Sequence, residues 1–99
     1  MNIKIHSLHF DADQNLLDFV ESRVQKLSQF EDGILNTEVF LRLDKDHELG
    51  NKVTEIKMNV AGADVFAKKQ CKTFEESTDQ AIEALRRQLV KQKQKKVGR

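Results

Sequence analysis

Along the first residues of the chain Ile3 and Ile5 alternate with Asn2, Lys4 and His6, the period-two pattern of a half-buried strand. Leu8 and Phe10 fall out of that register, so the strand is expected to end in a bulge or bend. In "DADQ", Asp11 or Asp13 offers an N-cap, since carboxylates are favoured where a helix exposes its first N–H groups. Leu16, Val20, Val24 and Leu27 then recur at helical spacing with Leu17 beside them, which predicts an amphipathic helix over 14–29. Phe30 is expected to close over its end, and Gly33 to mark the turn that follows.

The pattern returns to period two in "TEVFLRLD", with Val39, Leu41 and Leu43 on one face and Glu38, Phe40 and Arg42 on the other. "DKDHELGN" reads as a polar loop. "KVTEIKMNV" alternates again, with Ile56, Met58 and Val60 inward and Val53, Glu55, Lys57 and Asn59 outward. "AGAD", holding Gly62, predicts a short hairpin turn into "VFAKKQCK", where Val65 and Ala67 continue the inner face and Phe66 and Lys68 point out. Thr73 with Glu76 three residues on forms a capping box for a last helix, whose apolar stripe is Phe74, Thr78, Ala81, Ile82, Leu85 and Leu89.

The order is therefore β-α-β-β-β-α. A helix between strands 1 and 2 makes those strands parallel neighbours, and the short later connections make the other pairs antiparallel. Both helices then cover one face of a four-stranded mixed sheet, leaving the other face in water. The fold class is α+β, a two-layer sandwich. Ninety-nine residues, 38% of them hydrophobic, suit one domain over 1–99 with a modest core. No apolar run approaches the ~20 residues of a bilayer span, and "MNIKIHSLHF" lacks the basic-then-apolar layout of a signal peptide. A lone cysteine, Cys71, precludes an internal disulfide and fits a reducing cytoplasm.

Charge changes the picture at the end of the chain. In "LRRQLVKQKQKKVGR", Arg86, Arg87, Lys91, Lys93, Lys95, Lys96 and Arg99 give seven positive charges with no acid among them. The whole chain is only +1, so removing these seven leaves residues 1–85 at −6. Cations steady a helix C-terminus through its dipole, but that effect fades within one turn, and the basic tract of about 86–99 is longer. Residues 86–99 offer only Leu89, Val90 and Val97 as apolar groups, too few for a membrane-surface helix. A polyanion partner, of which nucleic acid is the commonest, remains beside a merely solvated tail. Because the stripe stops at Leu89, the basic end is expected to project past the sheet. Lys57 and Lys68 on the open face, with Lys69 and Lys72 closing strand 4, add to the positive surface. Outward Phe40 and Phe66 are candidates to stack on unpaired bases; pairing across the sheet, or a minor hydrophobic patch, is the simpler reading. The aromatic signature of an RNA-recognition motif is missing, and its element order differs.

Other constellations carry little chemistry. His6, His9 and His47 have no acid or thiol completing a ligand set, so no metal and no cofactor are expected. Cys71 has no histidine near it in sequence, although Lys69 and Lys72 are placed to lower its pKa. "DKDHELGN" lacks the spacing of a calcium loop. No residues support an enzyme or a small-molecule substrate.

The element order, together with "VAGADVFAKKQCKTFEESTDQAIEALRRQLVKQKQK" and the helix-1 segment "LLDFVESRVQKLSQF", resembles the ribosome hibernation promoting factor and ribosome-associated inhibitor family, also called sigma-54 modulation protein. Asp79, Ile82, Leu85, Gln88, Leu89, Lys91, Lys93 and Lys95 fall on the family's pattern; Thr73, Phe74 and Glu75 stand where Asp-hydrophobic-Tyr is usual, Ala84 replaces a lysine, and Lys69 a small residue. The resemblance implies a bacterial, cytoplasmic stress and stationary-phase factor. Such a factor binds 16S rRNA of the small ribosomal subunit, in 30S or 70S particles, and blocks mRNA and A- and P-site tRNA. By position Arg87, Lys91, Lys93 and Lys95 are the best rRNA contacts it implies, with Arg86, Lys96, Lys68, Lys69 and Lys72 added by charge. It further implies a short form without the ribosome-pairing second domain, monomeric away from the ribosome and able to work with a separate modulation factor. A module acting on sigma-54-dependent transcription and a constitutive ribosomal structural protein are the alternatives.

Overall fold

Residues 2–29, 33–45, 48 and 50–97 are described by a computed structural model, with the backbone alone for 93–97. Strand β1 (Asn2–Leu8) leads into helix α1 (Gln14–Gln25), which tightens into a 3-10 turn at Lys26–Gln29. Strands β2 (Ile34–Leu43), β3 (Lys52–Val60) and β4 (Ala63–Cys71) follow, and helix α2 (Phe74–Val97) ends the described chain. The sheet order is β1-β2-β3-β4, with β1 and β2 parallel and the other pairs antiparallel, as the connections predicted.

Local chemistry explains the junctions. His9 adopts a left-handed φ of 66°, which turns the chain out of β1 and delivers Phe10 to the helix layer. There its ring stacks on Phe74, with centroids 5.0 Å apart; this is the bend that the broken alternation predicted. Asp13 is the cap of α1, its carboxylate accepting from Leu16 N–H at 2.8 Å. Thr73 does the same for α2, its hydroxyl accepting from Glu76 N–H at 3.1 Å. At the β3–β4 turn Gly62 takes a φ of 88°, open to glycine at no steric cost. The expected closure by Phe30 lies outside the described residues.

The core lies between the sheet and the two helices. Val20, Val24 and Leu27 from the first helical segment meet Val39, Leu41, Ile56, Met58 and Val65 from the sheet, and Ala81, Leu85 and Leu89 from α2. At about 25 cal/mol per Å² of apolar surface withdrawn from water, such burial is the main term holding the layers together. Arg23 joins the helices, its Nε donating to Asp79 at 2.9 Å while its guanidinium lies over Phe19.

Four features depart from the alternation pattern. Strand β2 starts at Ile34, earlier than expected, because a bulge at Leu35 switches the parity and brings Ile34 into the buried set. Leu43 shares a face with Leu41 but is 48% exposed, since it ends the strand beyond the core. Val53 lies on the face expected to be open, yet is fully buried. Its sheet neighbours are Arg42 and Gln70, and Arg42 is ion-paired to Glu55 on that face. Finally, Thr54 and Ser77 are buried among apolar groups and satisfy one another through hydroxyls 2.7 Å apart, with Thr78 3.3 Å from Thr54. Gly50, with φ 94°, lies so close to Cys71 that an added Cβ would collide with its carbonyl oxygen.

Candidate nucleic-acid interface

Helix α2 is 24 residues long, about 36 Å at 1.5 Å per residue. Among the described residues its buried positions run Phe74, Ser77, Thr78, Ala81, Leu85 and Leu89, close to the predicted stripe and ending where that stripe ends. Val90 and Lys91 are exposed. Just before the end of the stripe the helix is clamped to the sheet edge. Gln88 Nε2 donates to the Phe66 carbonyl at 2.7 Å and its Oε1 accepts from Phe66 N–H at 3.4 Å. One side-chain amide thus completes both outward backbone groups of an edge residue of β4.

The cations differ in their surroundings. Arg86 forks onto Glu83, with Nε donating at 3.1 Å and Nη2 at 2.5 Å. That bond holds the Glu83 carboxyl below its ordinary range and raises the Arg86 guanidinium. Arg87 is 3.7 Å from the same carboxylate and its side chain is 74% exposed, so it faces solvent far more openly than Arg86 at 38%. Lys91 is also exposed. The helical backbone carries Lys93, Lys95 and Lys96, whose side chains lie outside the described set, as does Arg99.

Lys68 and Lys69 are exposed on opposite faces of β4, because neighbouring strand residues alternate. Lys68 is opposite Glu55, on the open face; Lys69 is opposite Thr54, on the helix side. Lys72 precedes the first turn of α2, roughly 28 Å of helix from Lys91. Fold geometry therefore brings Arg87, Lys91 and the helical positions of Lys93, Lys95 and Lys96 together at one end, and sets Lys69 and Lys72 at the other.

On the open face, pairing aligns Lys4, Glu38, Lys57 and Phe66 in one row and His6, Phe40, Glu55 and Lys68 in the next. The two outward phenylalanines have different fates. Phe40 is half-buried, stacked on His6 at 4.9 Å with Lys57 Nζ 5.6 Å from its centroid; His6 Nε2 also lies 3.2 Å from Glu38. Cross-strand packing thus accounts for Phe40. Phe66 is 45% exposed.

The remaining candidates divide simply. Among the described residues no group of three or more His, Cys, Asp or Glu is placed to hold a metal ion, and His47 lies outside them. Cys71 is buried. Lys69 pulls its pKa down as expected, but desolvation, helped by the Glu76 charge, wins and leaves it above the ordinary 9.0. Such a thiol is a poor nucleophile. Sequence reasoning missed the Gln88 clamp and the Thr54–Ser77 pair; in both, polar side chains sit at positions whose partners only the folded register supplies.

Two solved structures share this architecture. A ribosomal subunit interface protein from Coxiella burnetii superposes with a TM-score of 0.81 at 19% identity, covering 94% of this chain and 98% of its own. The N-terminal domain of Thermus thermophilus Protein Y gives 0.77 at 24% identity, covering 90% and 96%. At these identities the likeness shows the fold. Residues 3–97 match the family described as sigma 54 modulation protein / S30EA ribosomal protein, and the chain belongs to that family. A ribosome hibernation promoting factor from Azotobacter vinelandii is 29% identical over 99 residues, spanning 100% of this chain and 89% of the relative. The resemblance read from the sequence and the family match agree.

Proposed function

We propose that this protein is a translation inhibitor of the bacterial cytoplasm that binds the small ribosomal subunit. The C-terminal end of α2 neutralises 16S rRNA phosphates, and the folded body occupies the space that mRNA and A- and P-site tRNA need. The carrying observation is the change of character along α2: among the described residues burial ends at Leu89, and every charged residue after it in the sequence is a cation. A segment so rich in lysine is ill-suited to a core, and its charge is opposite to that of the first 85 residues, so its natural partner is a polyanion. Family membership and the curated relative make the ribosome the polyanion of choice. The chemistry is electrostatic and steric, with no bond made or broken.

Purified 30S subunits provide the test. At low salt the protein should co-sediment with them and reduce binding of both messenger and initiator tRNA. In cells it should co-migrate with 30S or 70S particles chiefly after starvation. Presence on ribosomes at all growth stages would indicate a constitutive component, and absence from them a transcription modulator. Unhindered binding of mRNA and tRNA to subunits saturated with the protein would contradict the blocking role.

A further inference from the structure

Phe66 is the large aromatic side chain that the open face leaves most uncovered among the described residues. Phe40, one strand further in, has its ring occupied by His6 and Lys57. Phe66 has no ring partner and no cation over it among the described residues, although its backbone is fixed at both N–H and C=O by Gln88. The ring is thus presented on a rigid mount.

Two lysines of the sheet stand beside it. Lys57 stands opposite it on β3, and Lys68 is two residues along the same face of β4, about 7 Å away. Through Gln88, the strand at Phe66 is joined to the turn of α2 that carries Arg87 and Lys91. An exposed ring beside lysines, on a strand joined to a cationic helix, suits single-stranded nucleic acid, where stacking holds the base and the cations follow the backbone. Beside the ring is a shallow hollow lined by Asn36, Glu38, Lys57, Asn59 and Asp64. Asn59 donates to Asp64 at 2.5 Å, which orients that carboxylate. Two carboxylates repel a phosphate but accept hydrogen bonds from the amino and imino groups of a base.

We propose that Phe66 is a stacking platform for one unpaired nucleobase of the RNA strand held by α2, with Glu38, Asn59 and Asp64 facing that base's polar edge. The inference rests on the ribosomal RNA reading above and adds a base contact to its phosphate contacts.

The chain contains no tryptophan or tyrosine, so Phe66→Trp introduces a single indole reporter at the platform. Wild-type, Phe66→Ala and Phe66→Trp proteins are titrated with purified 30S subunits, after their folding is checked by circular dichroism. Phe66→Ala should weaken binding roughly 5- to 150-fold while leaving the salt dependence unchanged. Phe66→Trp should bind at least as well as wild type, with its emission quenched by the stacked base. Equal affinity of Phe66→Ala together with an unquenched indole overturns the base contact while the ribosomal reading stands. Weakened binding with a bright, blue-shifted indole would mark a ribosomal-protein contact and also overturns it. A wild-type protein that ignores 30S subunits overturns both readings.

Discussion

The two parts of α2 are one continuous helix in two different environments. From Phe74 to Leu89 a side chain on nearly every turn enters the core, a hydroxyl pair reaches β3, and Gln88 grips the edge of β4. From Val90 onward the described positions are exposed or half-buried, and the charged residues are all cations. The first part is fixed by what it buries, so its sequence answers to packing. The second is continued by helix propagation from an anchored start, which costs far less than nucleating a free helix of that length. On the function proposed above, its sequence answers to a partner. Substitutions in the two parts should therefore separate stability from binding.

The largest effect is expected from Leu89→Ala. Truncating this buried side chain should cost about 2–5 kcal/mol in denaturant unfolding, whereas Lys91→Gln, two residues on, should move the midpoint by less than about 0.5 kcal/mol. Comparable losses at both positions would erase the distinction. Gly50→Ala should cost roughly 2–4 kcal/mol in the same measurement, because a Cβ would meet the Cys71 carbonyl at a left-handed φ. Thr54→Val, which removes the buried hydroxyl joining β3 to α2, should cost about 1–3 kcal/mol. The thiol of Cys71, held above its ordinary pKa by burial, should react slowly with a thiol reagent near pH 8 in the native protein and quickly in denaturant. Equal rates would contradict that burial. Glu83→Gln gives the smallest effect. Removing the carboxylate that engages Arg86 and faces Arg87 should raise ribosome affinity modestly. Since the Glu83 pKa is lowered in the fold, its pair with Arg86 stabilises above about pH 4.5 and is lost as pH falls through the lowered value. Melting temperatures of wild type and Glu83→Gln should therefore converge in strongly acidic buffer.

Much of this organisation was legible from residue order alone, and the exceptions have specific causes. The strands, both helices and the parallel β1–β2 pair follow from Ile3 and Ile5, the Leu16 to Leu27 stripe and the capping residues, where local periodicity and burial agree. Ile34 was missed because a bulge reverses strand parity, and Val53 because its cover comes from other strands. The cationic end was visible as composition. Its anchor was not, since Gln88 acquires meaning only when α2 lies beside the Phe66 backbone. Phe40 and Phe66 look alike in sequence and differ in the fold because only Phe40 has an aromatic partner opposite on β1.

Salt dependence of 30S binding tests the electrostatic grip most directly. If about six phosphates are neutralised, log affinity should fall with log salt at a slope near −5, roughly 10³-fold between 50 and 200 mM. With Lys91, Lys93 and Lys95 all replaced by glutamine, the slope should flatten by about 3, since each phosphate contact contributes close to 1. An unaltered slope in the triple variant would contradict the claim that this end of α2 holds ribosomal RNA.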